Sequence, residues 1–349
     1  MEPLSDNSVD LIVTSPPYPM IEMWDELFFS ENPAIKAHHA AGRALDMFEA
    51  MHQRLDPVWI EAYRVLKPGG FICVNIGDAT RTIDAQFHLF PNHARILTCM
   101  IQKGFTPLPA IIWRKQTNAP NKFMGSGMLP AGAYVTLEHE YILILRKKGK
   151  RQFTSEQAKA LRHESGYFWE ERNLFFSDVW MDLKGARQRL GEGQGRERSG
   201  AFPFELAYRL INMYSVKGDL VLDPFMGTGT TALAAMAANR NSMGFEIDTI
   251  LHTIFTSDPQ EIFSFLNGVL EERIGQHLTF VAKRLQEEKP LKHVNLPYGF
   301  PVVTNQEKRL FMNPIKQITP LRNGRIEVHY NEKPLKRYDH ILEGRALWE

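Results

Sequence analysis

Short apolar runs alternate with helix-like patterns through about the first 250 residues of the chain. Each run ends at a glycine, a proline or a polar residue, as expected for buried strands. Between the runs, apolar side chains recur at three- and four-residue spacing, which is typical of helices packed on a sheet. The pattern predicts an α/β fold with a mainly parallel sheet. The predicted strands are 9–14, 71–76, 110–113, 141–145, 220–222 and 242–245, and the predicted helices are 40–66, 92–103, 203–214 and 230–238.

Two later stretches depart from this alternation. Between 150 and 200 the periodicity is weak, and aromatic residues are interspersed with basic ones. A long helical pattern then covers 259–287. Between 315 and 330, two alternating runs flank Asn323-Gly324, a dipeptide typical of hairpin turns, with Pro320 suited to an edge strand.

Composition restricts the class of protein. The chain is 44% hydrophobic and 23% charged, which is ordinary for a soluble globular protein. It has no apolar run long enough for a membrane span, and residues 1–10 do not resemble a signal peptide. The two cysteines, Cys73 and Cys99, exclude a disulfide framework and a cysteine-based zinc site, and they suit a reducing compartment. We expect a cytoplasmic protein without a metal site.

The net charge is close to neutral, at +1, so a nucleic-acid-binding face would have to be local. Residues 146–198 hold 13 Lys and Arg against 8 Asp and Glu. Taken alone, this excess is better explained as a solvated surface than as a binding patch.

The segment DLVLDPFMGTGTT, at 219–231, combines a strand, a glycine-rich turn and a helix start with Thr230 or Thr231 as the expected N-cap. Gly227 and Gly229 allow a ligand to approach the backbone closely at the helix N-terminus. A phosphate-binding P-loop would need a lysine after Gly229, and a dinucleotide fingerprint would need a third glycine. The turn therefore suits a ligand without pyrophosphate, although a turn that serves packing alone remains the alternative.

An acidic residue, Glu246, ends the next predicted strand, 17 residues after Gly229. A carboxylate at this position can accept hydrogen bonds from both hydroxyls of a ribose. S-adenosylmethionine contains ribose and adenine but no phosphate, so it fits this loop.

The tetrapeptide Ser15-Pro16-Pro17-Tyr18 follows the first predicted strand directly. Its two prolines make the turn rigid and leave it rich in carbonyl acceptors. If Ser15 Oγ and the Pro16 carbonyl accept the two hydrogens of an exocyclic base amine, its lone pair can point at an activated methyl group. Tyr18 could stack on a base flipped out of the duplex. The alternative is a plain turn with a core tyrosine.

Together these motifs resemble the beta class of DNA amino-methyltransferases from restriction–modification systems. The resemblance covers about residues 5–250 and depends on the order of the motifs more than on any one of them. The matching segments are TSPPY (14–18), LKPGGFICVNIGD (66–78), IIWRK (111–115), HEYILILRK (139–147), SDVW (177–180), AFPFELAYRLI (201–211), DPFMGTGTT (223–231) and GFEID (244–248).

The resemblance implies a Rossmann-like S-adenosylmethionine-dependent fold with a circularly permuted motif order. It implies a catalytic half at 1–149, a target-recognition region at 150–200, a cofactor-binding half at 201–257 and an extension of unknown role at 258–349. The expected catalytic residues are Ser15, Pro16, Pro17 and Tyr18. The expected cofactor-binding residues are Thr14, Asp78, Phe202, Pro203, Asp223, Pro224, Phe225, Gly227, Gly229, Thr230, Thr231, Glu246 and Ile247.

Serine before Pro-Pro-Tyr is the form that the resemblance associates with N4-cytosine, whereas aspartate is typical of N6-adenine. Both targets are amines, so the chemistry alone leaves N6-adenine open. An RNA amino-methyltransferase and a non-catalytic DNA-binding subunit are further alternatives. Neither cysteine follows a proline, as the nucleophile of C5 methylation would.

The expected macromolecular partner is double-stranded DNA, read by residues 114–135 and 150–200. A homodimer and a cognate restriction endonuclease are left open. Two features depart from the family: the acidic strand that often precedes the catalytic strand is absent, and Arg-Ser-Gly stands before AFP. The expected DNA-contacting residues are Lys184, Arg187, Arg189, Arg196 and Arg198.

Overall fold

A computed structural model describes residues 1, 3–115, 124–184, 202–248, 251 and 258–341. The chain divides into two compact units, each built from separate segments. Unit 1 comprises Met1–Asn7, Thr14–Gly149 and Asp178–Pro203, and unit 2 comprises Ser8–Val13, Lys150–Ser177 and Phe204–Glu349. The two units are defined by contacts within the fold, whereas the four segments in the sequence analysis are defined by expected function. The boundaries of those four segments therefore stay a prediction.

Unit 1 contains a mixed sheet with helices beside it. Its helices are α1 (Asp25–Glu31), α2 (Pro33–Ala40), α3 (Ala44–Val65) and α4 (Asn92–Gln102). Strand β1 (Val9–Thr14) comes first in the chain and is described with unit 2. The strands of unit 1 are β2 (Leu66–Ile76), β3 (Ala79–Ile83), β4 (Gln86–Phe90), β5 (Phe105–Pro107), β6 (Ile111–Arg114), β7 (Met124–Gly125), β8 (Ala133–Tyr134), β9 (His139–Lys147) and β10 (Val179–Trp180).

Strand β9 is the one described strand of unit 1's main sheet that runs against its neighbours there. It runs antiparallel to β2, β5 and β6, whereas β6 and β10 are parallel. The register places Phe71 opposite Arg146 and Ile76 opposite Tyr141. Among the described residues, the link from β6 to β9 contains no helix, so the chain returns antiparallel instead of crossing over as a βαβ unit does.

Helix α3 shows how the apolar pattern builds the core of unit 1. Met47, Met51, Leu55, Trp59 and Ala62 recur at helical spacing, and each is buried. The predicted helix at 40–66 is confirmed as α3, and the strand that follows begins directly at Leu66.

Unit 2 contains three parallel strands and the longest described helix. Strand β1 pairs with β11 (Leu220–Asp223), which pairs with β12 (Asn241–Gly244). The helices are α5 (Glu156–Glu164), α6 (Trp169–Phe175), α7 (Phe204–Tyr214), α8 (Thr230–Ala237) and α9 (Pro259–Gln286). The remaining strands are β13 (His293–Val294), β14 (Pro301–Val302), β15 (Ile315–Pro320) and β16 (Ile326–Tyr330).

The C-terminal extension has a packing role that the sequence did not indicate. Phe168, just before α6, lies in one buried cluster with Tyr298, Phe300 and Leu310. The Phe168 ring also stacks on His277 of α9, with ring centroids 3.9 Å apart. Residues 258–341 thus cover the helices of segment 150–177, which the weak periodicity had led us to expect as irregular.

The two predictions for the C-terminal extension itself are confirmed. Helix α9 spans nearly all of the predicted helix at 259–287. Strands β15 and β16 form the predicted antiparallel hairpin, with Pro320 paired to Ile326 at its end. Among the described helices, none is both long and apolar enough to cross a membrane.

Candidate active site

The Ser-Pro-Pro-Tyr turn begins where β1 ends at the fully buried Thr14. Ser15 is partly buried, and its Oγ lies within hydrogen-bonding distance of two acceptors. These are the Asn75 carbonyl at 3.1 Å and the Tyr18 hydroxyl at 3.2 Å. Because the serine hydroxyl has one proton to donate, its lone pairs stay available to accept a hydrogen from a substrate.

A carboxylate, Glu140, lies at the other end of this hydrogen-bond network. The Tyr18 hydroxyl donates to Glu140 Oε2 at 2.9 Å. The Asn75 side-chain amide donates both to the Tyr18 oxygen, at 2.8 Å, and to Glu140 Oε2, at 2.7 Å. The Lys115 ammonium pairs with the other carboxylate oxygen at 2.9 Å. Burial, and then the charge of Glu140, raise the pKa of the Tyr18 phenol well above its usual value, so Tyr18 remains a proton donor.

A glycine makes room for the Tyr18 ring. A Cβ at Gly77 would lie 3.0 Å from Tyr18 Cε2, closer than such carbons normally approach. The side-chain amide of the buried Asn92 donates to the Gly77 and Pro19 carbonyls, each at 3.0 Å. His52 Nε2 lies 3.0 Å from Asn92 Oδ1, and burial lowers the pKa of His52 to about 4. A neutral histidine therefore supports the amide that holds the turn.

Asp78 follows β2 and is engaged by its own neighbours in unit 1. His93 Nδ1 lies 2.8 Å from each carboxylate oxygen, and the His93 backbone amide donates at 3.1 Å. The His93 ring stacks on Tyr141 with centroids 3.9 Å apart. The role of Asp78 in cofactor binding stays a prediction.

The shape of the glycine-rich loop in unit 2 depends on hydrogen bonds to Asp223 and on glycines with positive φ angles. Asp223 is buried, and its carboxylate accepts from the Phe225 amide at 3.0 Å and from Thr231 Oγ1 at 2.7 Å. Gly229 is the N-cap of α8 and has φ of +81°, a conformation that residues with side chains rarely adopt. The expectation that Thr230 or Thr231 caps this helix is therefore wrong, since the Thr231 hydroxyl binds Asp223 instead.

Glu246 reaches back to the same loop. Its Oε2 accepts from the Gly227 amide at 2.7 Å and its Oε1 from the Asp248 amide at 2.8 Å. Each oxygen keeps a further lone pair for a ligand hydroxyl. The structure thus brings Asp223, Gly227 and Glu246 together, as the motifs predicted.

The loop also satisfies the steric requirement for a ligand close to the backbone. A Cβ at Gly227, where φ is +53°, would meet no atom within 4 Å, so the chain is open there. A Cβ at Gly244 would by contrast collide with Met226, approaching its Cβ to 2.8 Å. An open glycine backbone beside a carboxylate fits the ribose of S-adenosylmethionine.

The remaining predicted residues differ in how exposed they are. Phe202 and Pro203 are buried in unit 1, whereas Pro224, Phe225 and Thr230 are half-buried in unit 2. Ile247 is 78% exposed, so it offers an apolar surface. Lys184 is exposed, as a DNA contact requires. The other four predicted DNA contacts, Arg187, Arg189, Arg196 and Arg198, lie outside the described residues.

The sequence analysis missed Asn75, Lys115 and Glu140 as site residues, although all three lie in motifs that carried the resemblance. A signal was present, because Asn75 and Glu140 are polar positions next to the apolar runs of β2 and β9, and both are buried. Such side chains need partners, and the partners here belong to the catalytic turn.

Comparison with known proteins identifies the family of this chain. The sequence model of the DNA methylase family N6_N4_Mtase matches residues 9–257. The Type II methyltransferase M.MthZI of Methanothermobacter thermautotrophicus is 49% identical, over 95% of this chain and 92% of that protein. M.MjaI of Methanocaldococcus jannaschii is 46% identical, over 79% and 90%. A Thermus thermophilus protein, assigned as a DNA modification methylase and solved with S-adenosyl-L-methionine, is 31% identical over 73% and 86%, with a TM-score of 0.56.

The chain belongs to this DNA methylase family and has its Rossmann-like methyltransferase fold. It is an S-adenosylmethionine-dependent DNA methyltransferase of the amino-methylating kind found in restriction–modification systems. The loop of Asp223, Gly227 and Gly229, together with Glu246, contains the residues of this chain that would hold the cofactor.

Proposed function

We propose that this enzyme methylates the exocyclic N4 amine of cytosine in duplex DNA. The observation that carries the proposal is the placement of Ser15, a neutral hydroxyl, in the catalytic turn. The hydroxyl donates its own proton inward, to the Asn75 carbonyl or to Tyr18, and so faces a substrate amine as an acceptor. The family resemblance associates this serine with N4-cytosine.

The turn compensates for the poor nucleophilicity of the amine, whose lone pair is delocalised into the ring. Accepting one amine hydrogen at Ser15 Oγ and the other at the Pro16 carbonyl favours a tetrahedral nitrogen. The bound cofactor supplies a sulfonium methyl group as the electrophile. Tyr18 stacks on the flipped base and keeps the amine at the turn.

Recognition of DNA is assigned to residues 114–135 and 150–200. In this proposal Lys184, Arg187, Arg189, Arg196 and Arg198 contact phosphates or base edges. Neutralising all five should weaken DNA binding and flatten the dependence of affinity on salt, because fewer phosphate contacts release fewer counterions. An unchanged salt slope would mean that these side chains form only a solvated surface.

The similarity to two Type II methyltransferases supports a place in a restriction–modification system with a cognate endonuclease. The cellular prediction is that DNA from cells expressing the protein resists one restriction activity. If the DNA remains sensitive to all endonucleases encoded beside the protein, this part of the proposal is wrong.

Mass spectrometry of digested DNA from expressing cells tests the target. We expect N4-methylcytosine, at a much lower level in cells that express the same amount of Ser15→Ala. Finding N6-methyladenine instead would overturn the target but keep the mechanism, because the adenine amine presents the same two hydrogens. Methylation of RNA alone would overturn the DNA substrate as well.

A further inference from the structure

The hydrogen bonds of the catalytic turn form a directed chain that ends on a carboxylate. The Ser15 hydroxyl donates to the Tyr18 oxygen at 3.2 Å, and the Tyr18 hydroxyl donates to Glu140 Oε2 at 2.9 Å. Both bonds point the same way, from the turn toward Glu140. The Asn75 amide, which donates to the Tyr18 oxygen and to Glu140, holds the phenol and the carboxylate together.

We propose that Ser15, Tyr18 and Glu140 form a proton relay in which Glu140 receives the proton that the target amine loses on methylation. The proposal depends on the amine being bound at Ser15, as argued above, but it holds for cytosine and adenine alike. Tyr18 then has a second task besides stacking on the base.

The relay accounts for the proton that the target amine releases on methyl transfer. Transfer forms an N–C bond and breaks the S–C bond, whose electron pair stays on sulfur, so the nitrogen carries one proton too many. That proton passes to Ser15 Oγ as the original Ser15 proton passes to Tyr18. The original Tyr18 proton then passes to Glu140 Oε2. One N–H bond has been exchanged for one O–H bond on a carboxyl group, and the other two hydroxyls are restored.

The surroundings of Glu140 suit a terminal acceptor. The residue is 9% exposed, so its carboxylate is shielded from competing water. In the part of the chain that the structure describes, three groups bind it: the Tyr18 phenol, the Asn75 amide and the Lys115 ammonium on the opposite oxygen. The Lys115 ammonium lies 2.9 Å from Oε1 and leaves Oε2 to Tyr18 and Asn75, and no second carboxylate is among these contacts.

Glu140→Gln tests the relay, because it removes the acceptor while preserving size and most hydrogen bonding. Glu138→Gln is the matched control, since Glu138 stands two residues away and forms a 3.1 Å ion pair with Arg114, outside the relay. We expect the single-turnover methylation rate of Glu140→Gln to fall by about 10²-fold, the usual scale for a lost general base. Binding of cofactor and DNA should be unchanged in both variants.

Two further measurements separate a relay from mere structural support. The solvent deuterium isotope effect on the single-turnover rate, which a proton relay imposes, should disappear in Glu140→Gln, while the Glu138→Gln control keeps it. Tyr18→Phe keeps the ring but interrupts the chain, so the double variant should lose no more rate than either single one. Additive losses, or a solvent isotope effect that persists in Glu140→Gln, would overturn the relay. Nucleoside analysis of the same reactions identifies the target independently, so failure of the relay and failure of the N4-cytosine proposal remain distinguishable.

Discussion

The catalytic turn and the cofactor loop are built in opposite ways. Tyr18 of the turn is held by side chains 57 and 122 residues away, those of Asn75 and Glu140. Asp223 of the loop binds Thr231 only 8 residues away, and Glu246 binds a backbone amide 19 residues away. The loop is thus a local structure that glycines and short contacts define, whereas the turn depends on strands that meet only in the folded sheet.

This difference predicts which substitutions act on turnover and which act on binding. Changes in the turn should leave cofactor affinity intact, because the turn contributes acceptors that matter in the transition state. Changes in the loop should act on cofactor affinity first. Four experiments test this contrast, in decreasing order of expected effect.

Ser15→Ala should show the largest effect. Losing one preorganised acceptor should lower the turnover number by about 10²-fold or more, with cofactor and DNA affinities near wild type. Single-turnover kinetics and calorimetry measure the two quantities. Ser30→Ala, at an exposed serine of α1, is the control and should change neither. Full activity in Ser15→Ala would mean that the turn is only structural.

Acidification should lower the free energy of unfolding, because it favours protonation of His52, which supports the catalytic turn. Its folded-state pKa of about 4 lies below the unfolded value, so the unfolded chain binds the proton more readily between about pH 4 and 6.5. The stabilisation is complete above that window and is lost as the pH falls through it, by about 2 kcal/mol between pH 7 and 5. Urea unfolding at both pH values measures the loss. His52→Gln should reduce this pH dependence, and an undiminished dependence would assign it to other groups.

Glu246→Ala should weaken cofactor binding by more than about 1.5 kcal/mol, close to tenfold, because hydrogen bonds to a charged acceptor are lost. Calorimetry with S-adenosylmethionine measures the affinity, and saturating cofactor should restore much of the turnover. Glu272→Ala, at an exposed position of α9, is the matched control. Wild-type affinity in Glu246→Ala would remove Glu246 from the cofactor site.

Gly244→Ala should have the smallest effect of the four on function, because it changes no polar group and acts only by displacing Met226, whose Cβ would lie 2.8 Å from the new Cβ. We expect cofactor affinity to fall severalfold, at a cost of about 1 kcal/mol, with the rate at saturation little changed. Gly268→Ala, in open space on α9, should instead stabilise the fold by about 0.5–1 kcal/mol. A larger effect of Gly244→Ala on rate than on affinity would contradict the division between loop and turn.

The local elements of this protein can be predicted from its amino-acid sequence. The alternation of apolar runs and helical patterns predicted β1, β11, β12 and the helices beside them, because burial and periodicity act within a few residues. The glycine pattern and Glu246 indicated the cofactor loop for the same reason. The Asn-Gly turn likewise indicated the hairpin of β15 and β16, whose partners are neighbours in sequence.

The contacts between remote segments became visible only in the folded structure. No local sequence pattern shows that β9 runs antiparallel to β2. This pairing places Glu140 of β9 within hydrogen-bonding distance of Tyr18. The packing of 258–341 against Phe168 likewise depends on residues over a hundred positions apart. Hydrogen bonds and packing follow distance in space, and a chain brings remote residues together only once strand order and direction are set.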